Sequence, residues 1–236
     1  MSEERQERAN LSEMGIWGRG VKVELGERYE EVWVQTLGDR TEALERGHDA
    51  MQRKLLEFRA GGERAKALTE ALMLAPAADL AELALEGERP QLEARLRREM
   101  PDPVAPRQDR GAGERDEDFA RREAEHEARR RELRGQRAQR LAELLEARRK
   151  ELVAMDRAEL VELARPRRID LECWNAFARA CDDWVLFRAV RRAGDPERPY
   201  FETIAQVQAL HPAVKDQLRR AYQELEAAHG ESLPKA

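Results

Sequence analysis

Residues 170–192 read DLECWNAFARACDDWVLFRAVRR. The apolar residues Trp174, Phe177, Cys181, Trp184, Phe187 and Val190 recur at intervals of three and four, the rhythm of one helix face. Of the chain's twelve aromatics (4 Trp, 3 Tyr, 5 Phe), seven lie between Trp174 and Tyr222. Aromatic side chains dominate burial in cores and interfaces, so the densest packing is expected around this helix. Cys173 and Cys181 are eight residues apart on it, hence about 12 Å apart at a helical rise of about 1.5 Å per residue. That is beyond the roughly 7 Å a disulfide spans, and the pair reads as small packing residues.

The rest of the chain is lean and charged. Its 236 residues are 39% charged and 5% aromatic, against an average charged content of about 25%. Such a chain suits several small helical units better than one thick core. Arg heavily outnumbers Lys, and Ala, Leu and Glu are abundant, a composition that favours helix. The net charge of −5 argues against broad nonspecific nucleic-acid binding. No apolar run approaches the roughly 20 residues of a membrane span. The amino terminus, MSEERQERAN, lacks a signal peptide's apolar core, so an intracellular protein is expected.

Working outward from the central helix, residues 1–20 carry few apolar groups and are expected to form a flexible leader. VKVEL (residues 21–25) alternates apolar and charged residues, the period of a half-buried strand. YEEVWVQTL (residues 29–37) supplies a second strand, and the two read as a β-hairpin that needs a helix to cover it. Gly38, Asp39 and Thr41 end the strand and offer a helix cap. Helices follow over 41–60 and 63–75, then a third opened by Pro76 and stopped by Gly87, and a short fourth from about Pro90 to Met100. Residues 101–115, with three prolines and two glycines, read as a linker.

Residues 116–155 read as one long charged helix. Its first half has too few apolar residues for a continuous buried stripe. Between Arg107 and Glu151 there are 14 Arg/Lys and 12 Asp/Glu, which suits a solvated helix held by charge pairs three and four residues apart. A carboxy-terminal aromatic-rich unit over 156–236 completes the chain, with one helix ended by Pro166, the central helix, a turn-rich break at 193–199, and a last helix bearing Val214, Leu218, Tyr222 and Leu225 on one face. The fold class expected is therefore mainly α with one amino-terminal β-hairpin, its units joined by a linker and a long charged helix. The boundaries fall at 1–20, 21–100, 101–115, 116–155 and 156–236.

No catalytic constellation emerges, and no cofactor or metal is expected. His48, His126, His211 and His229 lie in four separate elements without ligand spacing. Asp182 and Asp183, between two large aromatics, are expected to point outward. There is no phosphate loop of the GxxxxGK[ST] or GxGxxG type. Arg129, Arg130, Arg131, Arg134, Arg137 and Arg140 form a local basic patch with one intervening Glu132. It is the feature a nucleic-acid-associated helical protein would use, although its flanks are acidic.

Two stretches resemble the tail assembly chaperones of long-tailed (siphovirus-like) bacteriophages. One is the hairpin running into a helix, VKVEL…EEVWVQTLGDRTEAL. The other is WVLFRAVRRAGDPERPYFETIAQVQALHPAVKDQLRRAYQEL, with its aromatic helix, Arg-Asp-Pro turn, Pro-aromatic pair and terminal Ala-Tyr-x-x-Leu pattern. The resemblance implies a noncatalytic protein of the infected host's cytoplasm, absent from the mature virion. It would bind the tape measure protein and help recruit major tail protein around it. Families of this kind often make a longer frameshifted product. The contact residues expected for a helical client are Trp174, Phe177, Trp184, Phe187, Tyr200 and Phe201, on a helix-in-groove mode. A structural protein of a virion or other helical assembly is the alternative, and it predicts stable self-association.

Overall fold

A computed structural model describes residues 18–25, 28–104 and 115–232. Among these the chain is mainly helical with an amino-terminal antiparallel strand pair, the fold class its sequence indicates. The pair is β1 (Gly18–Leu25) and β2 (Arg28–Gln35), joined with Val21 opposite Val32. Helices follow as α1 (Thr41–Arg59), α2 (Glu63–Leu74), α3 (Ala77–Glu99), α4 (Asp116–Val153) and α5 (Arg157–Ala189). Strands β3 (Val190–Arg192) and β4 (Asp195–Pro199), then α6 (Ile204–Gln208) and α7 (Pro212–Ser232), complete the order. Residues 1–17 of the expected leader, and the centre of the expected linker, lie outside the described residues. Gly18 to Gly20 belong to β1 rather than to a leader.

Several boundaries differ from the sequence reading. The break at 193–199 is a hairpin: β3 pairs with β2, with Val34 opposite Val190, and β4 closes a four-stranded sheet of order β1-β2-β3-β4. Pro196 and Pro199 disguise β4, because proline removes ladder donors and is confined to edges. The expected third and fourth helices are one helix, α3, with Gly87 and Pro90 inside it. Pro166 likewise lies within α5. An internal proline costs about 3 kcal/mol. Each of these is flanked on both sides by buried residues, Leu85 and Leu96 in α3, Ala164 and Cys173 in α5. Full burial of one large aliphatic side chain contributes about 1.5–3 kcal/mol, so keeping Leu85 and Leu96 both seated outweighs breaking α3 at Pro90.

The chain divides into two compact units, 57–171 and the remainder, 1–56 with 172–236. The hairpin and helices α2–α3 thus belong to different units, unlike the expected segment 21–100. The hairpin's cover is α7, far along the chain. Val32, Val34 and Val190 on one face of the sheet form a core with Leu186, Phe201, Val207, Leu218 and Tyr222. At its rim Arg19 pairs with Glu224 at 2.5 Å, and Arg40 pairs with Glu226 while lying over the Tyr222 ring.

In the unit 57–171, Leu72, Leu80, Ala84, Leu85, Leu152, Leu160, Val161 and Ala164 make the core. Helices α3 and α4 run antiparallel, and Arg148 holds Glu88 through two bonds of 2.8 and 2.9 Å. Arg149 reaches Glu82 at 2.6 Å. Arg157 donates to the carbonyls of Met73, at 2.7 Å, and Ala75, a cation satisfying the open end of α2.

Apart from Asp118 and Leu145, the less exposed positions of α4 are Phe119, Arg122, His126, Arg130, Leu133, Arg137, Leu141, Leu144, Arg148 and Leu152. Their spacing of three, four and four is an eleven-residue rhythm, which keeps one stripe in line along the helix. The stripe is continuous, but four of its members before Leu141 are Arg or His. Long basic side chains cover apolar surface with their stems and keep their charge in water, so an apolar count misses them.

Candidate functional site

The aromatic face of α5 is set by its contact with α1. Cys181 donates its thiol hydrogen to the Ala43 carbonyl at 3.2 Å. A Cβ on Gly47 would lie 2.5 Å from Cys181 Sγ and 2.7 Å from Phe177 Cδ2. Absence of a side chain at Gly47 is therefore what lets the two helices meet. Neither cysteine is bridged by a disulfide.

The six expected contact residues fall into three pairs. Trp174 meets Phe177 edge-on at 5.3 Å, and His48 of α1 also meets Phe177 edge-on at 5.1 Å. Trp184 and Phe187 are 5.2 Å apart. The Trp184 ring lies beneath the Arg46 guanidinium at 3.9 Å, a cation–π contact. Tyr200 and Phe201 stand edge to face at 5.0 Å. Phe201 is core, Phe187 and Tyr200 pack at the core's margin, and Trp184 is buried. Trp174 is 55% exposed. The Tyr200 hydroxyl donates to Glu30, and burial together with that carboxylate pushes its pKa up to about 12.

Asp182 and Asp183 do not point freely outward. Asp183 accepts from Lys215 at 2.9 Å and Asp182 pairs with Arg219 at 2.9 Å. They form a polar seam between α5 and α7, which helical spacing cannot show because the partners lie over 30 residues away. Burial is the main cause that raises the Asp182 carboxyl above 3.8, with Arg219 opposing it. A carboxyl raised in the folded state contributes stability below its unfolded value and loses it as pH rises through the folded value. Wild type is therefore expected to lose more stability than Asp182→Asn as pH climbs from just above 3.8, measured by urea unfolding across that range.

The basic patch is divided. Arg130 pairs with Glu127 at 3.0 Å and Arg140 with Glu143 at 2.9 Å. Arg137 turns inward to the Met100 carbonyl and Asp102, each at 2.8 Å. Arg129, Arg131 and Arg134 remain exposed. Half of the patch is thus engaged within the molecule, which weakens it as a continuous phosphate-binding surface.

His126 lies 3.4 Å from the Pro103 carbonyl, and His211 Nδ1 accepts from the Ala213 amide at 3.3 Å. The His229 side chain is outside the described residues. Among the described residues no three His, Cys, Asp or Glu are grouped so as to hold a metal ion, and no helix is long and apolar enough to cross a membrane. No family model matches the chain, and it matches no curated protein and no solved structure.

Proposed function

We propose that the protein is a noncatalytic tail assembly chaperone of a long-tailed bacteriophage. It binds the tape measure protein and helps recruit major tail protein in the cytoplasm of the infected host, and it leaves the finished particle. The resemblance of the two quoted stretches supplies the client. The observation that supports a binding role is Trp174, the one aromatic exposed among those whose side chains are described. Phe177, itself held by His48, steadies it edge-on. Tryptophan is among the residue types on which interface energies concentrate.

The test is a pull-down of co-expressed tail proteins from the same phage. Trp174→Ala removes no core contact, so circular dichroism should be unchanged. Its affinity for the tape measure protein is expected to fall by about thirtyfold, the range of an interface hot spot. Wild type retaining no tape measure protein sinks the chaperone reading. Recovery of the chain in purified particles would place it among structural components instead.

A further inference from the structure

A cavity of about 290 Å³ opens where the 36–40 loop, the last turns of α5 and β3 come together. Gln35, Asp39, Glu42, Trp184, Arg188 and Arg191 are among its lining residues. The charges on its wall are unevenly used. Asp39 accepts from the Thr41 amide at 2.8 Å and the Thr41 hydroxyl at 2.7 Å, and Glu42 accepts from Arg46 at 3.2 Å. Arg188 and Arg191 have no carboxylate partner among the described residues, and the Arg191 Nε is buried without a hydrogen-bond acceptor. Burial, then the Arg188 charge, hold the Arg191 pKa below its ordinary value. A buried donor left unmade is unfavourable, and two neighbouring cations with no carboxylate bonded to them add to that.

We infer that this cavity binds a carboxylate, held by Arg188 and Arg191 against the Trp184 wall. The guanidinium fork matches a carboxylate's two oxygens. Asp39 and Glu42 line the cavity beside Arg188 and Arg191, and Arg46 pairs with Glu42, which leaves one net positive charge that a single negative charge balances and a phosphate dianion would exceed. The volume lies near the lower limit for small-ligand sites, about 300 Å³, and suits a small carboxylate or one acidic side chain of a polypeptide. The inference stands independently of the chaperone reading.

The experiment is thermal melting of the full chain at neutral pH in sodium acetate against sodium chloride of equal ionic strength. A blocked tripeptide, acetyl-Ala-Glu-Ala-amide, and inorganic phosphate form the other arms. Wild type is expected to melt higher with acetate and with the peptide, since a ligand that binds only the folded state stabilises it. Arg191→Met is expected to abolish both rises, while melting no lower than wild type in chloride because it removes an uncompensated cation. Peptide affinity about tenfold above acetate, the value of one charge-assisted bond or more, would assign the site to an acidic polypeptide segment. Equal affinities would assign it to a free carboxylate. No rise in wild type, a rise retained by Arg191→Met, or a larger rise with phosphate than with acetate overturns the inference. If Arg191→Met does not fold, Arg188→Gln carries the same reading, and an undiminished rise in that variant overturns it equally.

Discussion

Replacing Gly47 by leucine is expected to lower the unfolding free energy by about 2–3 kcal/mol, at the upper end of overpacking in a closed core. The new Cβ alone would stand 2.5 Å from Cys181 Sγ and 2.7 Å from the Phe177 ring. Neither neighbour has an easy way out. The thiol is bonded to the Ala43 carbonyl, and the ring is flanked by His48 and Trp174. Alanine at the same position gains about 1 kcal/mol of helix propensity, which offsets part of its smaller clash. Gly135, inside α4 with open space around it, provides the contrast. Alanine there is expected to stabilise by about 0.5–1 kcal/mol. Urea unfolding of the three variants makes the comparison. A Gly47→Leu protein as stable as wild type would mean that α1 and α5 do not approach as closely as described.

Truncating Leu160 to alanine is expected to destabilise the unit 57–171 by about 2–5 kcal/mol, through lost burial and the cavity left behind. Leu160 is 1% exposed and shares its core with Leu80, Leu85 and Leu152. Because this unit has its own core, native-state hydrogen exchange should rise most within 57–171. The amides of β2 and α7 should retain more protection. Uniform acceleration over the whole chain would show that the two units unfold as one.

Much of the secondary structure was legible from periodicity. The hairpin strands, α1, α2, the second half of α4 and the aromatic face of α5 all follow from period-two or helical spacing. The misreadings share one cause, which is that local rules carry no information about distant partners. Pro90 and Pro166 are helix breakers by local chemistry, yet each is spanned by buried residues on both sides. DPERP reads as a turn because its prolines suit an edge, and only pairing with Arg191 and Arg192 makes it a strand. The half-buried stripe of α4 escaped an apolar count because Arg122, Arg130 and Arg137 cover surface with their aliphatic stems. Of the candidate contact residues, all six were identifiable as aromatic, but their separation into core, margin and surface was not.

By itself the sequence determined a mainly helical chain, a strand pair near the amino terminus, and an aromatic-rich helix. Those features depend on residue type and spacing, which local geometry converts directly into faces. Tertiary structure alone decided which faces meet. It set α7 rather than α2 or α3 over the hairpin, brought Lys215 and Arg219 to the paired aspartates, and closed α1 on α5 at the one position without a side chain. It also left Trp174 in solvent and gathered around a cavity two arginines that have no carboxylate partner among the described residues. Burial and charge pairing act across 30 to 200 residues of chain here, a range over which periodicity is silent.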